Sequence, residues 1–257
     1  MRMDHRQAPE EYFRYLGWKT AVIGLTFIGL GLAVVFSLGM GAEKVPVTAV
    51  VASLIGQGTD VRVDAIVRGI RLPQALAAAV AGGGLAVAGA VMQAILRNPL
   101  GSPFTLGISH AAAFGAAFAV MLGSGFTTSG QGGIPVLSPC TITAAALVAS
   151  LAASAVIIVI SRLRGARPET MILAGVALGA LFTAATMFLQ FFASDVQLAA
   201  MVFWTFGDTG RASWSQVGIM SSVTLVCFLY FWMNSWSYNA IAVGDETARG
   251  LGVRVGR

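Results

Sequence analysis

Charge is what this sequence has least of. Asp, Glu, Lys and Arg make up 11% of its 257 residues, against 56% hydrophobic ones, whereas a soluble domain carries about 25% charged residues. A chain so poor in charge has too little polar surface to face water, which excludes a soluble globular domain. Lysine is almost missing: Lys19 and Lys44 are the only two. The run Gly82–Gly84 therefore cannot be a phosphate loop, since no G-K-[ST] follows it, and the chain hydrolyses no nucleotide by itself. Cys140 and Cys227 stand alone in or beside apolar runs, without a C-x-x-C, and read as small buried side chains rather than a disulfide or metal site. His5 and His110 have no partner at ligand spacing. H-E-x-x-H, G-x-S-x-G and paired carboxylates within a span are all missing, so no catalytic residue, metal site or resident cofactor is expected.

Long apolar runs are what the sequence has instead. Each span of a bilayer needs roughly 20 apolar residues, and the runs here, such as Ala75–Ile95, are continuous rather than alternating, which excludes a β-barrel. The fold class expected is an all-α integral membrane protein, a polytopic helical bundle of about six transmembrane helices. The candidate spans are 18–38, 73–96, 104–122, 142–160, 171–192 and 216–236, within a single membrane domain covering 1–257. The first run, Ala21–Leu38, follows a long N-terminal region containing Asp4, Glu10 and Glu11, so it reads as a retained span, not a cleaved signal. Between the spans lie a long connector with an amphipathic stretch and mixed charge (39–70), a turn "RNPLGSP" in which Pro99 and Pro103 forbid helix continuation, an uncharged Gly/Ser-rich connector, a basic "SRLRGARPE", and a short apolar piece with Trp204 and Trp214.

The net charge of +5 does not point to nucleic acid, because the arginines sit beside membrane segments, where they set topology. With the N-terminus inside, the inner side holds Arg2, Arg6, Arg14, Lys19, Arg97, Arg162, Arg164, Arg167, Arg249, Arg254 and Arg257. The outer side holds only Lys44, Arg62, Arg68, Arg71 and Arg211. That asymmetry obeys the positive-inside rule and places the C-terminal segment in the cytoplasm.

Small residues four apart, Gly84/Ala88 and Gly175/Gly179, mark faces where helices approach closely in lipid. In 171–192, Gly179, Thr183, Thr186 and Gln190 recur at helical spacing and form one weakly polar stripe. Two readings stand: hydrogen-bonded glue between helices, or the wall of a translocation path. Near the C-terminus, "GDETARGLG" puts Asp245 at an N-cap, Glu246 in the first turn, Arg249 later, and Gly250 and Gly252 as stops. So short a helix is unstable alone in water. Either it docks on a surface or the segment is a solvated loop end.

The stretch "IRLPQALAAAVAGGGLAVAGAVMQAILRNPLGSPFTLGIS" (70–109) resembles the signature of FecCD-type permeases, the membrane subunits of type II ABC importers for iron–siderophores, haem and vitamin B12. "ILAGVALGALF" (172–182), "FWTFGDTGRASW" (203–214) and "NAIAVGDETARGLGV" (239–253) resemble further blocks of that family in the same order. The resemblance covers essentially the whole chain. It implies a homodimer or paired permease in the cytoplasmic (inner) membrane of a bacterium or archaeon. It also implies an ABC ATPase dimer that binds ATP and Mg, and an extracytoplasmic binding protein that delivers an iron(III)-siderophore, haem or cobalamin. Segment 243–253 then matches the cytoplasmic coupling helix that seats in the ATPase, with Gly244, Asp245, Glu246, Ala248, Arg249, Leu251 and Gly252 as its residues; Asp245 stands where many members have Glu. Arg71, with Arg68 as a second candidate, matches the arginine that meets an acid on the binding protein, although Gln74 replaces a further basic residue. Arg71 also reads as a snorkelling interface anchor. In relatives the helix matching 171–192 lines the path. Members have about ten spans, where the length here allows roughly six or seven, and the chain ends where a seventh is expected. A truncated, non-transporting remnant or scaffold is therefore one alternative, and a secondary transporter without an ATPase is another.

Overall fold

The computed structural model describes residues 10–58, 60–126, 139–163 and 167–254. Every regular element among them is helical. Arg2, Arg6, Arg164 and Arg257, and most of the Gly/Ser-rich connector, lie outside the described residues.

Helix boundaries follow local chemistry. Helix α1 (Glu10–Gly39) runs through the first apolar stretch and stops before the Gly- and Pro-containing segment 39–46. The amphipathic connector is itself folded. It forms α2 (Val47–Leu54), which starts directly after Pro46, and a single turn, α3 (Val61–Asp64), whose first turn is capped by Asp60 accepting from the Arg62 amide. A π-helical segment, Ala65–Arg71, then leads into α4 (Leu72–Leu96). Helix α5 is Ile108–Phe126, α6 Pro139–Leu163 and α7 Pro168–Phe191. Pro168 occupies the first turn of α7, where its missing N–H costs nothing. Helix α8 (Asp195–Phe206) opens on a reciprocal Ser194/Gln197 capping box and ends at Gly207, φ +74°. Helix α9 (Trp214–Met233) stops at Asn234, after which α10 (Ser235–Val243) and α11 (Asp245–Gly250) follow.

Among the described residues, five helical stretches are long and apolar enough to cross a membrane: Glu11–Gly39, Val61–Leu96, Pro139–Leu163, Pro168–Phe191 and Trp214–Met233. The third expected span, 104–122, starts late. Gly107 has φ +70°, so the backbone turns there and the apolar helix is the shorter Ile108–Gly123. The last expected span, 216–236, is interrupted at Asn234, whose side-chain amide donates to the Tyr230 carbonyl.

The chain forms two units. The first comprises 1–79 with 209–219, and its core is Leu38, Val45, Val50 and Val67, flanked by Val34, Val35, Val63 and Leu72. The second comprises 80–208 with 220–257, with a core of Leu96, Leu106 and Ile157. In the second unit α5 packs on α6, α7 and α8 through small residues. Ala111, Ala116 and Ala117 are buried, and a Cβ on Gly115 would lie 2.5 Å from the Ala145 carbonyl oxygen of α6. Such contact lets backbones approach where lipid supplies no hydrophobic drive. Large apolar side chains point outward instead, Phe27 and Trp18 each 71% exposed, as lipid-facing helices require.

Candidate functional site

The C-terminal element is built around two glycines. Gly244 ends α10 and caps α11 with φ +142° and ψ +153°, a conformation closed to residues with a side chain. Asp245 is consequently the first helical residue, not the N-cap expected from sequence, and no side chain caps the helix. The other end is a Schellman motif. The Val253 amide donates to the Ala248 carbonyl and the Gly252 amide to the Arg249 carbonyl, with Gly252 at φ +82°. Gly252 is thus the stop. Gly250, expected as another, lies inside the last turn. Asp245 and Glu246 in the first turn and Arg249 in the last complement the helix dipole. Ala248 is fully buried, whereas Glu246, Thr247, Arg249, Leu251 and Gly252 are exposed. On neighbouring α10, burial and then Tyr230 push the Tyr238 phenol above its usual value, so it stays neutral at physiological pH.

Asp245 has a partner that sequence reasoning did not assign. Arg97, read there only as an inner-side charge, donates through Nη2 to its Oδ1. Arg97 follows the last residue of α4 and opens the "RNPLGSP" turn, in which the Leu100 amide donates to Asn98 Oδ1 and the Ser102 and Thr105 side chains exchange bonds with each other's amides.

On α7, a Cβ on Gly175 would lie 2.6 Å from Leu106 Cα, and one on Gly179 3.3 Å from Gly107 Cα. The small-residue pair therefore receives the backbone of the 102–107 loop rather than another helix. Beside it opens a cleft of about 510 Å³ lined by Thr105, His110, Gly179, Ala180, Thr183 and Met187, among others. The stripe predicted from spacing divides. Gly179 and Thr183 line this cleft; Thr186 and Gln190 do not. The hydroxyls of Thr183 and Thr186 donate to Gly179 and Phe182 carbonyls of their own helix, so neither bonds a neighbouring helix. His110, which has no partner at ligand spacing in sequence, enters the cleft because α5 begins directly after Gly107. Among the described residues no cluster of three or more His, Cys, Asp or Glu could hold a metal. The pair Gly84/Ala88 faces differently: a Cβ on Gly84 would lie 3.4 Å from Thr224 Oγ1 of α9.

In the first unit, Arg71 Nη1 donates to the Leu38 carbonyl at 2.7 Å and Nη2 to that of Glu43, satisfying the C-terminal end of α1. Arg68 does the same for α2, with Nε to Ser53 O at 2.7 Å and Nη2 to Leu54 O at 3.2 Å. Cations at helix C-termini are favoured by the dipole. Gln74, the departure from a basic residue, donates to Gly210 O at 2.6 Å, and the Trp214 indole donates to Arg68 O at 3.0 Å. Arg71 and Gln74 wall a cleft of about 540 Å³ that also includes Glu43, Ile70 and Thr209, whereas Arg68 and Trp214 lie outside its lining. Both guanidinium groups predicted for docking are therefore engaged with backbone carbonyls.

The FecCD transport family model matches residues 29–257. A protein of Methanocaldococcus jannaschii named as an ABC transporter permease is 48% identical over 250 residues, covering 97% of this chain and 71% of that protein. The hemin transport system permease protein of Yersinia pestis is 35% identical over 186 residues, 72% of this chain and 54% of its own length. A solved inward-facing structure described as a metal-chelate type ABC transporter superposes with a TM-score of 0.74 at 26% identity, over 92% of this chain and 68% of that one. The helical order, the glycine-framed element after α10 and a family match across most of the length agree: the chain belongs to the FecCD transport family.

Proposed function

We propose that this chain acts as the membrane permease of an ATP-driven importer for iron chelates, an iron(III)-siderophore foremost, with haem and cobalamin as related cargoes. The observation that carries the reading is α11. It is a six-residue helix, closed at its end by its own Schellman bonds, with Glu246, Arg249 and Leu251 exposed. A helix that short is expected to melt in water unless a surface holds it, and a cytoplasmic ATPase dimer supplies that surface. The ATPase binds ATP and Mg, and closes and opens with the nucleotide; α11 follows it. A second permease copy or a paired permease completes the path, for which Gly179, Thr183, Thr186 and Gln190 are the candidate lining. An extracytoplasmic binding protein delivers the chelate near Arg68 and Arg71. Since both guanidinium groups are engaged with backbone, they would shape that surface, and any charge pairing there would set encounter rate more than affinity. The N-terminus and α11 lie on the cytoplasmic side of the inner membrane. Similarity to a hemin permease supports an iron-containing cargo.

The test is uptake into proteoliposomes carrying the permease, its ATPase and its binding protein, with labelled ferric siderophore, haem and cobalamin compared in parallel. ATP-dependent uptake of the siderophore above the other two is expected. Failure to move any chelate, or uptake that persists without ATP, overturns the reading.

A further inference from the structure

We propose that Arg97 is a positioning residue whose ion pair with Asp245 hangs α11 on the end of α4, so that movement of α11 is passed to α4 and to the turn that follows it. The proposal rests on the reading of α11 as the ATPase contact, and adds which other part of the fold that contact pulls. Two independent observations carry it. The first is the pair itself, Arg97 Nη2 to Asp245 Oδ1, joining residues 148 apart in sequence. The second is the backbone. Arg97 has φ +48°, and among the described residues it is the only non-glycine residue with positive φ. It sits in the slot after a helix where glycine is favoured, while the Asn98 amide reaches back to the Gln93 carbonyl at 3.2 Å to close α4. A side chain in that slot carries a backbone penalty, and glycine would remove it. Residues held in such conformations gather at switching sites, where the side chain is needed at that point. Here the side chain that is needed reaches Asp245.

The surroundings of α11 make one tether matter. A Cβ on Gly244 would meet nothing within 4 Å, so no neighbour packs against the backbone where α10 passes into α11, whereas the far end is closed only by bonds within the element itself. Ala248 seats its inner face, but an alanine methyl gives little directional hold. Without the pair α11 can tilt about Gly244 and leave α4 behind. With it, α4 and the 97–103 turn must follow. The 102–107 loop leans directly on Gly175 and Gly179 of α7, so the displacement arrives at the wall of the cleft.

Cys140 and Cys227, expected to be buried, are both exposed, so the experiment uses the Cys140→Ser, Cys227→Ser chain in nanodiscs with nitroxide labels at Leu100→Cys and Leu251→Cys, both exposed, and reads the distance distribution between them. The native pair is expected to give a single narrow distance. Arg97→Gly, which relieves the backbone while deleting the tether, is expected to broaden it, and so is Asp245→Asn, which serves where the glycine variant fails to fold. The swap Arg97→Asp with Asp245→Arg is expected to narrow it again. In the reconstituted importer, Arg97→Gly and Asp245→Asn should raise the ATP spent per chelate moved about two- to five-fold, matching the up to ~1 kcal/mol of a half-exposed ion pair, and the swap should restore it. A distribution as narrow in Arg97→Gly and Asp245→Asn as in the native chain, or a swap that restores neither readout, overturns the clasp. If instead the native assembly moves no chelate at all, the importer reading fails while the distance measurement still decides the clasp.

Discussion

Replacing Gly107 by alanine tests how tightly the 102–107 loop is seated on α7. Gly107 has φ +70°, a region that costs an L-residue about 1–2 kcal/mol. The added methyl would also lie 2.6 Å from the Gly175 carbonyl oxygen, 2.8 Å from the Gly179 nitrogen and 2.9 Å from Gly179 Cα. All three are backbone atoms inside a helix, so no side chain can rotate out of the way. Loop and helix must separate, and overpacking of this kind costs about 1–3 kcal/mol. The two effects together predict a loss of about 2–5 kcal/mol, a large part of the ~5–15 kcal/mol that holds a typical domain. The assay is thermal unfolding of the chain in nanodiscs, with Gly82→Ala as control. Gly82 lies in α4 with nothing within 4 Å of its would-be Cβ, so alanine there should be neutral or stabilise by up to ~1 kcal/mol. Gly175→Ala attacks the same contact from the other side, its Cβ falling 2.6 Å from Leu106 Cα. The double variant should therefore cost less than the sum of the two singles. If Gly107→Ala melts with the Gly82→Ala control, the close approach of loop and helix is wrong, and so is the shape derived for the cleft beside it.

Two further outcomes follow from named contacts. Arg71→Ala removes both bonds to the Leu38 and Glu43 carbonyls, a loss of about 1–3 kcal/mol for charge-assisted bonds that are partly exposed. Because those bonds hold the segment after α1, trypsin should cut at Lys44 faster than in the native chain; an unchanged rate refutes the anchoring role. Gly252→Val forces a β-branched residue to φ +82°, costing about 1–2 kcal/mol. The amides of Leu251, Gly252 and Val253, which donate to Thr247, Arg249 and Ala248, should then exchange hydrogen faster. Equal exchange would mean that the Schellman closure does not hold α11.

Much of this molecule was legible without coordinates, because its strongest signals are local. Apolar runs of membrane length, the prolines at 46, 99, 103 and 168, and the acid-first, base-last order of 245–249 each act within a turn or two of chain. They set the helical class and the approximate extent of the spans, and offered a short helix over 245–249 as one of two readings. The family resemblance carried by 70–109 and 239–253 belongs to the same category, since it is read from contiguous residues.

What required the tertiary structure is every pairing between distant segments. Arg97 and Asp245 each look like an ordinary water-facing charge, and only the fold brings them together across 148 residues. Whether a guanidinium is free or already committed depends on where helix ends arrive, which is why Arg71 and Arg68 read as open charges in sequence but meet the last carbonyls of α1 and α2. The small pair Gly175/Gly179 announced a close approach, but not that a loop would fill it. Asp245 sits one position inside the helix because Gly244 takes a backbone shape that no composition rule specifies. Hydrophobic runs and backbone breakers act along the chain and are written in order; hydrogen bonds, ion pairs and van der Waals fit act through space, and a sequence carries no distances.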